Sequence, residues 1–304
     1  MVEPQVGGSY SELRDLAQWA EDQGIDAFAR SDHFLDQDDS APSTDALTTY
    51  GGLAEATNSI QLVVLVTPLT FRHPAVIAKT ATTLDEMSGG RFALGVGTGW
   101  MQSEHDAFGL DLPPLAERFD RLGETLGYVR AAFTSNEGFA GRYYHLDPID
   151  VLPRPTNVPI VVGGGGPKKT PTYAGQFADE YNLFVTDRPA LEERIGVMRS
   201  AAAAAGRSAD AVTVSLAGPV VVAADEASYR AVLERRGARR GQTADEYEAF
   251  LEHLNVPHGT PEAASASIEL LRSIGIGRYY VQEFRDLASI DTSALARSYS
   301  ILRS

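Results

Sequence analysis

The chain has 304 residues, 43% of them hydrophobic, with no cysteine and a formal net charge of -15. Such a length can bury a large core, either as one α/β domain or as two smaller ones. The lack of cysteine excludes disulfides, thiol nucleophiles and cysteine metal sites. The acidic balance argues against nucleic acid or an anionic membrane as a partner, because either requires a basic face.

The sequence contains no run of 18 or more apolar residues and no basic segment followed by an apolar leader. These patterns mark membrane spans and classical export signals. We therefore expect a cytoplasmic chain that does not cross a membrane.

Short apolar segments rich in β-branched residues predict seven strands, most of them apolar on both faces as buried parallel strands are. They lie at 27–30, 60–66, 91–97, 159–163, 181–185, 212–216 and 278–282.

Helical patterns separate these strands. Ser9 and Glu12 form a capping box before the first helix, and Gly24 closes it. A stripe of apolar positions over 115–133 predicts a long helix, and Thr260 before a proline opens another. The order is strand and helix in alternation, without a linker.

This alternation predicts a (β/α)8 TIM barrel over residues 1–304, as a single domain, with a truncated first strand. Only MVEPQ precedes the first loop, so we expect Met1 to be an internal residue of that strand. Insertions follow strands 4 and 7 of the barrel. The first, residues 136–155, is aromatic and is expected to form a hairpin; the second, residues 224–258, is charged and is expected to be helical.

A glycine run stands out in the segment IVVGGGGPKKT. Four consecutive glycines precede Lys168 and Lys169, which are two of the three lysines in the chain. Glycines after a strand let the backbone approach a ligand, and the amides that begin the next helix attract an anion. The spacing fits neither a P-loop nor a dinucleotide motif. The residues indicate a phosphate site, with a tight strand-to-helix connection as the alternative.

His33 is the candidate for proton chemistry. It follows Asp32 at the end of a predicted strand, where side chains reach the mouth of a barrel, and its ordinary pKa suits proton transfer near neutrality. A structural histidine is the alternative. His73 and His105 are expected to be helix-start or supporting groups. No H-x-H pair occurs, and the acidic run DQDDS at 36–40 lacks the glycine and distal glutamate of a calcium loop, so no metal site is predicted.

Several segments together resemble the bacterial-luciferase-like flavin and deazaflavin oxidoreductases, and more narrowly the actinobacterial branch that uses coenzyme F-420. The similarity runs in order from about Ser9 to Asn182. The segments are RSDHF, LVTPLTFRHPAVIAK, LDEMSGGRFALGVGTGWMQSEHDAFG, PPLAERFDRL and PRPTNVPIVVGGGGPKKT.

The resemblance implies a role for particular positions. Asp32 contacts the deazaflavin, and His33 lies by its ring as a proton donor or acceptor. A bulge near 64–66, with a non-prolyl cis peptide, backs the ring. The other implied cofactor positions are Val64, Leu65, Thr67, Gly97, Gly99 and Ser103, with Gly165, Gly166, Lys168 and Lys169 on the ribityl phosphate. Phe34 and Trp100 are expected in the substrate pocket.

The implied activity is hydride transfer between C5 of F-420 and a small organic substrate, with His33 moving the matching proton. The sugar-phosphate dehydrogenases of this branch have a catalytic glutamate after GTG, where this chain has Trp100, so glucose 6-phosphate is not the expected substrate. An FMN-dependent two-component monooxygenase is the alternative enzyme. A non-catalytic deazaflavin-binding protein is the alternative outside enzymes. The resemblance also implies a homodimer.

Overall fold

The structure, a computed structural model, describes residues 1–36 and 43–303, apart from the side chains at 297, 298 and 301–303. The acidic run DQDDS, expected to be a solvated loop, lies outside the described residues except for Asp36.

Strands and helices alternate through the chain. The strands are β1 (Ala27–Arg30), β2 (Gln61–Pro68), β3 (Phe92–Gly97), β4 (Phe139–Ala140), β5 (His145–Leu146), β6 (Ile160–Gly163), β7 (Glu180–Phe184), β8 (Thr213–Gly218), β9 (Val221–Val222), β10 (His258–Gly259) and β11 (Ile276–Val281). The α-helices are α1 (Tyr10–Asp22), α2 (Ala46–Ala56), α3 (Pro74–Ser88), α4 (Gln102–Phe108), α5 (Leu115–Thr134), α6 (Lys169–Phe177), α7 (Arg188–Ala204), α8 (Glu226–Ala238), α9 (Ala244–His253), α10 (Pro261–Ile274) and α11 (Thr292–Arg303).

One parallel sheet of seven strands forms the centre of the described structure, in the order β1-β2-β3-β6-β7-β8-β11. These are the seven strands that the sequence predicts. The register shifts at two places: between Ile276 and Arg278, where β11 pairs with β8, and between Val64 and Thr67, where β2 pairs with β3. The shift in β2 places a bulge in the segment where the resemblance implies one.

Val2 nearly closes this sheet into a barrel. It makes parallel bridges to Arg30 at the end of β1 and to Glu283 just beyond β11. Its amide donates a hydrogen bond to the carbonyl of Ala29 at 2.9 Å. The first residues therefore occupy the place of the barrel's opening strand, and the nearly closed parallel sheet with its helices confirms the predicted (β/α)8 class.

The helices begin and end where the sequence signals lie. In α1 the Ser9 hydroxyl accepts from the amide of Glu12 at 3.3 Å, and the Glu12 carboxylate accepts from the amide of Ser9 at 2.7 Å. Thr260 caps α10, which ends at Gly275 with φ 105°. The apolar faces of the helices pack on the outside of the sheet and bury its outer side chains.

The two predicted insertions have the expected structures. β4 and β5 form an antiparallel hairpin after α5. The second insertion consists of α8 and α9 between the paired strands β9 and β10, and it has a hydrophobic cluster of its own. Over the described ranges of the chain, no helix is both long enough and apolar enough to span a bilayer.

Candidate active site

A cavity of about 330 Å³ opens at the carboxyl ends of β1, β2, β3, β6 and β7. Parallel strands all present their carboxyl ends to one face of a barrel, where the loops that carry chemistry are found. The cavity is thus in the position that the fold predicts for an active site.

Some of the sequence-predicted residues come together here and others do not. Those that line the cavity are His33, Leu65, Gly97, Gly99, Trp100 and Gly165. Those outside its lining are Asp32, Phe34, Val64, Thr67, Ser103, Gly166, Lys168 and Lys169.

His33 is held by a buried carboxylate. Its Nδ1 lies 3.1 Å from Oε2 of Glu104 on α4, a residue that is 1% exposed. The other carboxylate oxygen accepts hydrogen bonds from the amides of Phe34 and Leu35, the latter at 3.1 Å. A carboxylate can only accept, so Nδ1 carries the hydrogen and Nε2 is the ring nitrogen left for a ligand in the cavity.

The pair shifts both pKa values. Burial, the largest influence, lowers the pKa of His33, but the hydrogen bond and charge of Glu104 outweigh it, and the pKa is raised overall. Burial likewise raises the pKa of Glu104, but His33 and the two loop amides outweigh it, and that pKa is lowered. The geometry therefore favours a protonated imidazole beside an ionised carboxylate.

Trp100 stands over this pair at the mouth of the cavity. Its ring contacts the His33 ring edge-on, with centroids 5.7 Å apart and an interplanar angle of 77°. The indole is nevertheless 58% exposed. Phe184, at the end of β7, also lines the cavity and is more than half exposed. Both aromatic rings thus line the cavity and remain open to solvent.

Phe34 belongs to an aromatic cluster beside the cavity lining. Its ring stacks on Phe71 at 4.3 Å and meets Phe108, at the end of α4, edge-on at 5.2 Å. The cluster packs the loop after β1 against the loop after β2 and against α4. The expected place of Phe34 in the substrate pocket stays a prediction.

Asp32 is also absent from the cavity lining, because an arginine holds it. Its Oδ2 accepts from Arg72 at 2.5 Å, and the same guanidinium nitrogen donates to Thr67 at 2.9 Å. The second guanidinium nitrogen binds Asp45. Asp32 is 1% exposed. In this structure Asp32 and Thr67, through Arg72, tie the loop of His33 to the loop after β2.

The floor of the cavity includes an irregular part of β2. The peptide between Leu65 and Val66 is a non-prolyl cis peptide, within the segment where the resemblance implies one. The side chain of Val66 fits a hollow left by glycines on the two neighbouring strands. A Cβ atom would lie 2.8 Å from it at Gly97 and 2.7 Å from it at Gly163. Bare backbone at those positions is therefore required by Val66.

The glycine run forms another wall. Residues 163–165 line the cavity, and the amide of Gly164 donates to the carbonyl of Asn182 at 3.2 Å. A Cβ atom at Gly165 would meet nothing within 4 Å, so the backbone there borders open space. The run leads directly to Lys168, the N-cap of α6, and to Lys169. Both lysines are exposed on the surface beyond the glycine turn.

A second buried carboxylate, that of Glu3, also lines the cavity. Glu3 is 5% exposed, and its oxygens accept from Gln5 at 2.8 Å and from Gln282 at 2.5 Å. Ser31 in turn donates to Gln5 at 2.7 Å. These bonds fix Glu3 between the first residues of the chain and the end of β11.

Sequence reasoning missed Glu104, Glu3 and Phe184. Glu104 had a local signal, since it is an acidic residue in the first turn of the helix after GTGW, but only the folded chain shows that it reaches His33. The two weaker histidines behave as expected: His73 caps α3, and His105 bonds to Met101 and to a threonine at 2.7 Å each. The described residues include no group of three or more side chains that could hold a metal ion.

Two curated proteins of different kinds are similar to part of this chain. The F420-dependent glucose-6-phosphate dehydrogenase of Amycolatopsis mediterranei is 37% identical over 175 residues, which are 55% of this chain and 52% of that protein. The pyrimidine monooxygenase RutA of Allorhizobium ampelinum is 34% identical over 142 residues, 46% of this chain and 38% of that protein. The chain thus spans about half the length, or less, of these curated relatives.

Solved structures show the same fold. The coenzyme F420-dependent tetrahydromethanopterin reductase from Methanopyrus kandleri superimposes with a TM-score of 0.72 over 93% of this chain and 92% of that one, at 20% identity. The model of the family described as luciferase-like monooxygenase matches residues 2–276. Because this match covers most of the chain, the protein belongs to the luciferase-like monooxygenase family.

Proposed function

We propose that the protein is an oxidoreductase that uses coenzyme F-420 and transfers a hydride between C5 of the deazaflavin and a small organic substrate. The observation that carries the proposal is one cavity that combines the His33–Glu104 pair with the bare glycine turn at 163–165. The similarity to an F420-dependent dehydrogenase supports the same cofactor.

The residues present fit this cofactor. A cavity of about 330 Å³ is within the usual range for ligand pockets, about 300 to 1,000 Å³. Leu65 and Val66 supply apolar surface for a ring. The glycine turn before α6 offers backbone amides and open space to a phosphate, and Lys168 and Lys169 add positive charge beside it. An acidic tail on the cofactor would meet the same two lysines.

When bound, the deazaflavin would supply the hydride donor or acceptor. The chain supplies the proton and the surroundings. His33 is oriented by Glu104 and its pKa is raised, so the imidazolium can give a proton from Nε2 to a substrate oxygen and take one back in the reverse direction. Trp100 and Phe184 cover the mouth, position the substrate and exclude water.

An anaerobic titration followed by fluorescence tests the proposal. The wild-type protein is titrated with F-420 and, separately, with FMN, alongside Lys168→Ala/Lys169→Ala. We expect F-420 to bind more tightly than FMN and the double variant to lose about tenfold or more in affinity, since two charge-assisted contacts are removed. Lys79→Ala is the matched control, because Lys79 bonds to the carbonyl of Leu152 away from this turn. Equal affinities in the double variant and the control would contradict the phosphate assignment.

An FMN-dependent two-component monooxygenase is the second candidate. The observation that favours it is the similarity to a pyrimidine monooxygenase, and the same glycine turn could hold the phosphate of FMN. Tighter binding of FMN, with oxygen consumed during turnover, would support this candidate. Stoichiometric F-420 binding without turnover on any acceptor would instead support a non-catalytic binding protein.

The wider organisation is part of the same proposal. The resemblance supports a single domain over residues 1–304, a homodimer and a cytoplasmic location. Sedimentation of the purified protein would test the homodimer.

A further inference from the structure

We propose that the second insertion and α10 form a binding site for an aliphatic diamine or polyamine. The site is a cavity of about 400 Å³ between α8, α9 and α10, which we call the insertion cavity. Among the described residues, none lines both this cavity and the one at the carboxyl ends of the barrel strands. The proposal therefore does not depend on the function proposed above.

Three glutamates from two helices line the insertion cavity. Glu226 begins α8, and Glu248 and Glu252 lie one turn apart on α9. In the described part of the chain, no lysine or arginine side chain lines the cavity. Arg230, on the next turn of α8 after Glu226, binds two other carboxylates. Negative charge concentrated at a concave surface in this way attracts a cation.

A buried tyrosine is a second observation, independent of the acidic cluster. Tyr229 lines the insertion cavity but is 4% exposed, and its hydroxyl has no hydrogen-bond partner among the described residues. Burial raises the pKa of this phenol, and the three glutamates each raise it further, so the hydroxyl lies at the end of the ring nearest to them. A buried hydroxyl without a partner is costly, and an ammonium group of a ligand would provide one.

The other polar side chains of the insertion cavity already use donor groups within the chain. His258 donates from Nδ1 to the carbonyl of Val256 at 2.7 Å, so Nε2 of the neutral ring is an acceptor. Asn255 donates from its amide nitrogen to the carbonyl of Thr186 at 2.7 Å. Ser267 donates to a backbone carbonyl of its own helix at 3.0 Å. A lining rich in acceptors suits a ligand that brings donors, and an ammonium group brings three.

Apolar groups in the same cavity suit the aliphatic part of such a ligand. Leu270 on α10 is 43% exposed and lines the cavity together with Val256 and Ala263. The rings of Tyr229 and His258 lie beside each other, with centroids 6.2 Å apart. Methylene groups between two ammonium groups would cover this surface. A metal ion would not use it, and the residues that the structure describes include no group of three or more side chains that could hold one.

Calorimetric titration provides the test, at about 0.15 M salt, where attraction beyond the first contacts is largely screened. The probes are cadaverine as the diamine, the diol of the same chain length as its neutral counterpart, and magnesium chloride as a simple counterion. The variants are Glu248→Gln/Glu252→Gln and Tyr229→Phe. The control is Glu192→Gln/Glu193→Gln, which removes the same charge from exposed positions on α7.

We expect cadaverine to bind saturably, at one site per chain, and the diol and magnesium to bind at least about tenfold more weakly. The double variant at 248 and 252 should weaken cadaverine binding about tenfold, because two ammonium–carboxylate contacts are lost. Tyr229→Phe keeps the ring and its packing, so a loss of about threefold or more in that variant identifies the hydroxyl. The control should stay within about twofold.

Four results would each overturn the proposal. They are no saturable binding of cadaverine, equal binding of the diol, tighter binding of magnesium, and site variants whose affinities match that of the control. Urea unfolding of each variant shows whether a lost affinity reflects the site or the fold. Wild-type urea midpoints with weakened cadaverine binding would support the site.

Discussion

His33 donates a hydrogen bond from Nδ1 to Oε2 of Glu104 across 3.1 Å and so joins the loop after β1 to helix α4. The two residues are 71 positions apart in the chain. Because the carboxylate also accepts from two amides of the His33 loop, it fixes both the ring and the backbone that carries it. This relationship determines how the proton-transferring group should respond to mutation.

His33→Ala should reduce turnover far more than cofactor affinity. The imidazole supplies a proton to the reacting atoms, and general acid catalysis of this kind contributes about 10²- to 10⁴-fold to a rate. We expect kcat to fall by about that factor while the dissociation constant of F-420, measured by fluorescence, changes by less than about tenfold. Unchanged turnover would remove His33 from the mechanism.

Glu104→Gln should move the pH profile of the reductive reaction. A rate that needs protonated His33 falls as the pH rises through its pKa. Glu104 holds that pKa above its ordinary value against the lowering effect of burial. The neutral amide cannot do so, and we expect the alkaline fall in kcat to occur at lower pH in the variant. His145→Gln, in the exposed hairpin, is the control. A profile that does not move would show that another group titrates.

Arg72→Met should destabilise the protein strongly. It leaves Asp32, which is 1% exposed, without its cation, and removing one partner of a buried ion pair costs about 3 to 5 kcal/mol. Urea unfolding at neutral pH measures the loss. Arg14→Met is the control: it breaks a solvent-exposed pair with Asp15 and should leave the urea midpoint almost unchanged, because solvent screens such pairs.

A second variant separates the charge effect from the packing effect. Adding Asp32→Asn to Arg72→Met removes the uncompensated charge, so we expect the double variant to be more stable than Arg72→Met alone. A double variant that is less stable would indicate that Asp32 contributes through contacts other than its ion pair.

Gly95→Ala should destabilise the barrel without any change of charge. The new Cβ would lie 2.1 Å from the carbonyl oxygen of Val64 and 2.9 Å from Val66, so a strand must shift. Overpacking of this kind costs about 1 to 3 kcal/mol or more. Gly165→Ala is the control, since its Cβ would meet nothing within 4 Å. Similar urea midpoints for the two variants would contradict the clash.

The fold could be predicted because its signals are local. Apolar runs, capping residues and prolines at helix starts depend only on neighbours in the chain. The apolar runs predicted the ends of the strands to within about two residues, as at β7 and β11. The location of His33 at a strand end followed from the same reasoning. Neither prediction depends on which loops lie in contact in the folded protein.

The parts of the site that sequence reasoning missed depend on contacts between distant segments. Glu104 reaches His33 only when the loops after β1 and β3 converge. Arg72 meets Asp32 only when the loops after β1 and β2 converge, so neighbours in the chain did not indicate this ion pair either.

The hollow that holds Val66 links four positions on three strands. Gly95, Gly97 and Gly163 each leave room that the valine side chain fills, and a Cβ atom at any of them would lie within 3 Å of it. Whether a substitution at one of these positions is tolerated is therefore expected to depend on the order in which the substitutions occur. A smaller residue at 66 must appear before a larger one is tolerated at 97 or 163, since the reverse order passes through an overpacked intermediate. Positions 66, 97 and 163 should therefore change as a group and along a restricted set of paths, whereas Gly95 is also required by the carbonyl oxygen of Val64, which a smaller residue at 66 leaves in place.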